Sequence, residues 1–555
     1  MTFSNTFIPK TVTVLKEGYN LNLFFKDFFA GLIVAVLALP MSIAFAIASG
    51  ARPEQGIVTA IVAGTLGSLF SGSRYQITGP TGAFVVLIQS IITTHGYQGL
   101  VTATLFAGLI LLGMGFFRFG NAMRFIPYPV IVGFTSGIAV IIFSSQIYDF
   151  LGLGSKEPLP AECFQKWVYY FKNMASFNSY ALLLGFLTLG VIIYWPRITK
   201  VIPGPLVAIL GATLLSYFFN LPVETIGQRF GEIKPEFPMP TLPTIAFCDL
   251  ETLIGPAIAI ALLAGIESLL SASVGDGMTG RRHRSDMELI SQGIANLGSA
   301  LFQGLPATGA IARTATNIKS GGATPFAGII HAIALAILIF VFGRYISYIP
   351  MTGLAALLIF VAYNMSEWRT FRDLIKSKTS DSLVLLITFA LTVFVDLVTA
   401  IEAGVILASL IFINKMAKEI GAKDLKQGLK DEDNDKDIAL IKELNVPDEI
   451  DIFEIYGPLF FAACDTFKTA LSRIGDIPKI LILRMRYVKH IDTSGLQTLK
   501  SVIEESKAQG TQVILSGIDP KMAELFEKVG LTDLVGKDNI KKDIVEAVRY
   551  AKAVL

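Results

Sequence analysis

Two short runs hold residue types that could do chemistry: Pro80-Thr81-Gly82-Ala83 and Pro306-Ala307-Thr308-Gly309-Ala310. Each interrupts a strongly apolar stretch, and each reads proline, one residue or none, then Thr-Gly-Ala. A proline at the first helical position gives up an N–H that would have been unpaired anyway. Small residues behind it leave the first-turn N–H groups open to a ligand, and the positive helix end favours an anion. Two such ends of about +0.5 charge each, roughly 4 Å from a monovalent anion, contribute on the order of 4 kcal/mol at an effective dielectric near 20. That is comparable to one arginine. Taken singly, Thr-Gly-Ala also fits a stripe of small residues that lets helices pack closely. The matched pair points instead to a site built from Thr81, Gly82, Ala83, Thr308, Gly309 and Ala310.

Few ionisable residues accompany these runs. Arg313 lies one turn past the second Thr-Gly-Ala, where it either attracts an anion or pairs with an acid to lock a helix. Glu267 lies inside another apolar run, in "ALLAGIESLLSASVGDG". A bare carboxylate repels an anion, so Glu267 is useful there if it takes a proton, binds a cation, or pairs permanently with Arg313. Protonation would couple anion uptake to a proton gradient. Phe45, in "ALPMSIAFAIASG", could wall the cavity or simply pack, while Pro40 and Ser42 loosen the same helix. His331 reads as a satisfied interior histidine, and Asp396 and Glu402 as solvated. The chain has no GxxxxGK[ST] loop, no HExxH and no Cys/His metal spacing, so nothing suggests ATP drive or hydrolytic chemistry; the chain reads as a non-enzyme without cofactor.

The elements that must position these residues are membrane spans. The chain has 555 residues, 53% hydrophobic and 16% charged, with a mean hydropathy of +0.60, far from the roughly quarter-charged composition of soluble domains. The net charge of +2 decides nothing about partners. Fourteen apolar segments centre near residues 38, 63, 86, 108, 138, 187, 210, 262, 295, 313, 333, 355, 388 and 408. The first follows a lysine-bearing amphipathic start without a cleavage pattern, so it is a span and not a signal peptide. Basic residues, among them Arg74, Arg118, Arg197, Arg281, Arg282, Arg284, Lys319, Arg369 and Arg372, fall in alternate loops. Those loops and both termini are expected on the cytoplasmic side.

With fourteen spans, the third and tenth, which hold the two runs, are equivalent positions in halves of seven. Seven is odd, so the halves are inverted relative to each other. Paired short, Gly/Pro-interrupted segments at matching positions mark a binding site near the bilayer midplane. A break in a lipid-embedded backbone costs several kcal/mol unless it faces protein or a water-filled cavity, so the breaks mark a cavity.

The expected domains are a cytoplasmic N-terminus at 1–26, a transmembrane part at 27–420, a charged linker at 421–445 and a small domain at 446–555. In the last, "DIFEIY", "KILILRM" and "TQVILSG" read as strands alternating with helices such as "SGLQTLKSVIEESKAQG", which argues an α/β domain. Cys163, Cys248 and Cys464 are expected to be structural, with a Cys163–Cys248 bridge conceivable if both lie in outer loops.

Five motifs in order, "ALPMSIAFAIASG", "GSRYQITGPTGAFVV", "AGIESLLSASVGDGMTG", "ATGAIARTATNIKSGG" and "HIDTSGLQTLK", resemble the SulP family of anion transporters across nearly the whole chain. The resemblance implies a uracil-transporter-like α-helical fold of two inverted seven-span repeats. It implies a core of segments 1–4 and 8–11, a gate of segments 5–7 and 12–14, elevator-like alternating access and a homodimer in the cell inner membrane. It carries binding roles to Phe45, Thr81, Gly82, Ala83, Thr308, Gly309, Ala310 and Arg313, and a coupling role to Glu267. Ala312 stands where a serine is common in animal members. The tail resembles a STAS domain, in whose relatives the residue matching Thr493 is phosphorylated; Asp492, Thr493 or Ser494 as a plain helix cap is the favoured reading. Within the family this domain is expected to serve assembly, trafficking or a cytosolic partner.

The segments "AGIESLL", "DGMTG", "VAYNMSEW" and "YGPLFFAA" look most like the bacterial branch that takes up C4-dicarboxylates. Proton-coupled dicarboxylate uptake is therefore the leading expectation, with sulfate or sodium-coupled bicarbonate transport next. An anion-sensing scaffold acting through the tail is a reading from another class. A nucleobase carrier is disfavoured, since the breaks offer one acid and no amide to read a base edge.

Overall fold

The computed structural model describes residues 6–121, 127–154, 160, 163–199, 202–232, 237–242, 250–377, 379–419, 421–424, 444–471 and 478–555. The chain divides into two units, Met1–Val405 and Ile406–Leu555. Helices of the first part are α1 (Lys10–Glu17), α2 (Leu21–Ala48), α3 (Pro53–Leu69), α4 (Val85–Phe116), α5 (Tyr128–Leu151), α6 (Cys163–Lys172), α7 (Ser179–Tyr194), α8 (Gly204–Phe218) and α9 (Ile226–Phe230). They continue as α10 (Leu250–Thr279), α11 (Ser285–Leu301), α12 (Ile311–Lys319), α13 (Phe326–Ile346), α14 (Met351–Met365), α15 (Trp368–Lys376), α16 (Ser380–Phe394) and α17 (Leu397–Glu419).

Every expected apolar centre falls in one of these helices, the third and fourth sharing α4. The sharing has a local cause: Gly96, at φ 69° and ψ 179°, breaks α4 into residues 85–95 and 97–116 in a conformation that L side chains avoid. Among the described residues, seven helices are long and apolar enough to cross a membrane, and α8 and α16 are shorter apolar helices. Helix α12 has 9 residues, a rise of about 14 Å, so it reaches about half-way across a hydrocarbon core.

Helices α2, α3, α4, α10, α11, α12 and α13 pack chiefly on one another, as do α5, α7, α8, α14 and α16. Close approach in the first group comes from small residues: a Cβ on Gly108 of α4 would lie 2.9 Å from the Gly293 carbonyl oxygen of α11. Helix α1 is docked on the end of α3, where Thr11 Oγ1 donates to Ser68 O at 3.1 Å and Arg284 Nη1 donates to Thr13 Oγ1 at 2.9 Å. Arg74 pairs with Glu17, and this hydrogen bond holds the Glu17 carboxyl below its usual range. Cys163 is a free thiol with its Sγ 3.5 Å from Ser144 Oγ; Cys248 lies outside the described residues.

Past Val405, α17 exposes Ile406, Leu410 and Phe412, so the division falls inside this helix, before the end of the apolar run at residue 420. In the second unit a five-stranded sheet has the order β3 (Gly421–Asp424), β4 (Ile450–Tyr456), β5 (Ile480–Tyr487), β6 (Gln512–Ser516), β7 (Ile540–Lys541). Only the β3–β4 pair is antiparallel, and the short helix-crossed connections make the others parallel. Alternation sorts the two faces. Ile450, Ile452, Ile480, Ile482 and Ile514 pack with Ile544, Ala547 and Val548 of the C-terminal helix, which sequence reading did not mark. Phe453, Leu481, Leu483, Val513 and Leu515 pack with Leu499 and Phe526 on the other side.

Candidate functional site

The two Thr-Gly runs meet. Thr78–Gly79 (β1) and Thr308–Gly309 (β2) form an antiparallel pair with Thr78 opposite Gly309 and Gly79 opposite Thr308. Ala310 N donates to Ile77 O at 2.9 Å, extending the pairing by one bond. Extended backbone freed by the breaks is thus satisfied by its counterpart in the other half of the chain, which is why so short a strand persists inside an apolar bundle.

Neither proline takes the first helical position the sequence suggested. Thr81 is the extended residue before the 3-10 turn Gly82–Phe84 that leads into α4, so Pro80 precedes the cap. Ala310 caps α12, and Pro306 precedes β2. The extended cap Thr81 displaces Pro80, and β2 displaces Pro306. The consequence expected of the prolines survives, because Gly82, Ala83, Ile311 and Ala312 still occupy first turns whose N–H groups no carbonyl of their own helix can reach. Ile311 and Ala312 are exposed, so α12 begins at an opening.

Thr81 and Glu267 are both half-buried, and Thr81 Oγ1 donates to Glu267 Oε2 at 3.0 Å, joining the first break to α10. A Cβ on Gly82 would lie 3.3 Å from Phe45 Cε1, 3.5 Å from Ile142 Cδ1 and 3.6 Å from Met365 Sδ. Phe45 therefore stands over the first half-helix, with α5 and α14 across from it. Ala83 is buried. Thr308 is fully buried and its Oγ1 donates to Ala264 O at 2.7 Å, so its hydroxyl anchors β2 to α10 and does not face the opening. At Gly309 a Cβ would lie 2.0 Å from Gln76 Nε2, a space only glycine leaves.

Arg313 is fully buried beneath the strand pair. Its Nη2 donates to Ser42 Oγ at 3.1 Å and to Pro80 O at 3.2 Å, and its Nη1 lies 2.3 Å from the Cβ position of Gly79. One side chain thereby ties α12, the first break and α2. No ion pair joins Arg313 to Glu267 or to another carboxylate among the described residues, so its charge stays uncompensated by an acid.

Sequence reasoning missed the network under the strands. Glu288 of α11 is fully buried, and its Oε2 accepts from Ser71 Oγ (3.1 Å), Gly72 N (2.8 Å) and Ser73 N (3.1 Å). Its Oε1 accepts from Gln76 Nε2 (2.8 Å), Ser268 Oγ (3.1 Å) and Gln292 Nε2 (2.8 Å). Gln292 also donates to Thr78 Oγ1 at 3.0 Å, and Asn296 pins Ala307 by bonds to its N (2.9 Å) and O (2.8 Å). The available signal was the polar stripe Glu288, Ser291, Gln292, Asn296 and Ser299 at helical spacing along an otherwise apolar segment. The sequence reads His331 as a satisfied interior histidine, yet neither ring nitrogen has a partner among the described residues. In the second unit, Asp492 is the helix cap: its Oδ1 accepts from Gly495 N at 2.7 Å, which leaves Thr493 exposed in the first turn of the helix Thr493–Ala508.

Two broken helices facing each other across a strand pair, at equivalent positions of two seven-segment halves, define a membrane transporter of the inverted-repeat class. The chain belongs to the sulfate permease family, whose model matches residues 24–388, and carries a STAS domain matched at residues 442–547. As a member it is an anion transporter. It is 39% identical over 526 residues to YvdB of Bacillus subtilis, which has a provisional sulfate-transporter name, covering 94% of this chain and 97% of that one. It is 29% identical over 538 residues to the bicarbonate transporter BicA of Picosynechococcus, covering 95% and 94%. The fold is that of the murine anion transporter Slc26a9, with a TM-score of 0.88 at 18% identity over 100% of this chain and 95% of that one.

Proposed function

We propose that the chain is a secondary active carrier whose anion binds between the first turns at Gly82 and Ile311, facing Phe45, and whose transport is coupled to a proton on Glu267. The observation that carries this reading is the pairing of the two breaks, each leading into a first turn with amides its own helix cannot satisfy, and Arg313 bonded to Pro80 O uncompensated by an acid. Two helix ends and a buried guanidinium make the place attractive to an anion, while Glu267 on Thr81 is repulsive until neutralised. Anion and proton then bind together. A sodium ion at Glu267 would serve the same balance and is the competing coupling mode.

The elevator-like reading takes α2–α4 and α10–α13 as the moving core and α5–α8, α14, α16 and α17 as the gate; the separate packing of the two groups supports it. Small inorganic oxyanions come first as substrates, because the relatives are named for sulfate and bicarbonate. The C4-dicarboxylate reading draws nothing from those names and rests on the likeness of "AGIESLL" and "VAYNMSEW" alone. The cytoplasmic placement of both termini is read from the alternate basic loops, and the inner membrane, a homodimer and a STAS partner are part of the reading through the family.

The test is uptake of labelled sulfate, bicarbonate and succinate into proteoliposomes under imposed proton or sodium gradients. Accumulation of sulfate or bicarbonate is expected; uptake of succinate alone would restore the dicarboxylate reading, and uptake of none would overturn the site. Glu267→Gln is expected to abolish gradient-driven accumulation and leave exchange, and unchanged proton dependence would remove Glu267 from coupling.

A further inference from the structure

Behind the strand pair lies a second titratable group that the transport reading does not use. His331 of α13 is fully buried, and neither Nδ1 nor Nε2 has a partner among the described residues. Its Cδ2 lies 3.9 Å from the Cβ position of Gly64 on α3, a point also 3.3 Å from Thr78 O, so the ring and the β1 backbone border the same spot on α3. Arg313 touches the next residue of the same strand through Gly79, whose Cβ position also lies 3.8 Å from Ala60 Cα, one turn from Gly64 on α3. Two of its guanidinium nitrogens, Nε and Nη1, likewise have no partner among the described residues.

A neutral imidazole offers one donor and one acceptor, and leaving a buried polar group unmet costs about 1–3 kcal/mol. A phenylalanine or leucine there would avoid that cost. The other elements packed on α13 bring no competing charge to the ring. On α2, Asp27 is engaged by Ala323 N (2.8 Å), Thr324 N (3.0 Å) and Tyr19 OH (3.2 Å), and Lys26 is exposed. Helix α3 has Glu54 at its far end as its single ionisable residue and presents the Ser68 hydroxyl, which is buried without a partner. Helix α12 contributes Arg313 and, at its end, Lys319, while Arg344 lies in the last turn of α13 itself. Of these, Arg313 is the buried charge without an acid partner among the described residues, while Lys319 and Arg344 are exposed.

We propose that His331 is a second proton-accepting group of the transport core, linked through Arg313 to whether an anion occupies the half-helix ends. The inference rests on the anion-site reading above. A proton on His331 and the charge of Arg313 repel, and an anion in front of Arg313 offsets that repulsion. Linkage is reciprocal: if the anion favours the proton on His331, that proton favours the anion by the same factor. Glu267 answers to the anion from the open side and His331 from behind, so substitution of one leaves the other's response in place.

The chain has 4 histidines, His95, His283, His331 and His490, so selective 15N labelling of the full-length protein gives four imidazole signals to titrate with and without sulfate, bicarbonate or succinate, whichever is taken up. The expected result is that the anion moves one titration to higher pH, that this signal is missing from His331→Gln, and that the variant loses part of the tightening of anion binding toward acid that wild type shows, the part owed to Glu267 remaining. Wild-type titrations alone decide the matter if His331→Gln fails to fold. No histidine responding to the anion, or unchanged pH dependence in His331→Gln, would overturn the inference. If Glu267→Gln removes all pH dependence while the His331 signal ignores the anion, the inference fails and the anion site stands. If none of the three anions binds, the site reading falls and takes the inference with it.

Discussion

The first break, at Thr78–Phe84, and the second, at Thr308–Arg313, share a backbone plan and differ in how their side chains are held. At the first, Thr81 reaches the carboxylate of Glu267 by a single half-buried bond, and a methyl group added at Gly82 would meet Phe45 at 3.3 Å, which asks the ring to give by a few tenths of an ångström. At the second, Thr308 is bonded to Ala264 O, Ala307 is held twice by Asn296, and Gly309 is packed against Gln76. Arg313 reaches from the second break to the first and grips Pro80 O. The repeat therefore supplies two equivalent helix ends, while the surroundings make one adjustable and the other rigid. Under the proposed coupling, such a division would let Glu267 change state while Arg313 keeps its hold on Pro80 O.

The comparison can be broken first at its common foundation. Glu288→Ala removes the acceptor for six donors drawn from both halves, and is expected to lower stability by at least about 3 kcal/mol, read as a fall in thermal midpoint in detergent. A thermal midpoint equal to wild type would show that the strands do not depend on it. The next largest effect separates the breaks directly. Gly309→Ala places a methyl 2.0 Å from Gln76 Nε2 and is expected to abolish uptake, whereas Gly82→Ala meets Phe45 at 3.3 Å and should change anion affinity only a few-fold. Equal losses at the two glycines would remove the distinction between a rigid and an adjustable end.

Arg313→Ala removes a unit charge several ångströms from the anion, and a loss of roughly 50-fold in affinity follows for about 7 Å at an effective dielectric near 20. Arg313→Lys keeps the charge but not the fork across Ser42 and Pro80, so binding should recover more fully than transport rate. The smallest effect is expected in the second unit, where Asp492→Ala should cost about 1 kcal/mol by removing a helix cap. Thr493→Ala should leave the stability of that domain unchanged, since its side chain is exposed in the first turn.

Much of this architecture is legible one segment at a time. Hydropathy is a property of consecutive residues, so all fourteen apolar centres were visible, and the apolar runs in "KILILRM" and "TQVILSG" alternating with helices announced an α/β domain, whose central strands are buried on both faces. The repeated Thr-Gly-Ala located the breaks, and Glu267 and Arg313 stood out as charges in apolar surroundings. Proline placement misled, because the extended residue Thr81 separates Pro80 from the first turn and the strand Thr308–Gly309 separates Pro306 from α12. That strand pairing depends on residues about 230 positions apart in the chain, and no local pattern encodes it.

By itself, then, the sequence determined the class of the fold, the count of segments, the two breaks and the sign of the charge they attract. Tertiary structure alone decided the partner of each buried polar group: that Glu288 holds the strand bases, that Arg313 grips Pro80 O instead of an acid, and that His331 is left unmet beside it. The physical reason is that burial and periodicity are summed along a helix, whereas a hydrogen bond is decided within about 3 Å by whichever helix happens to cross there.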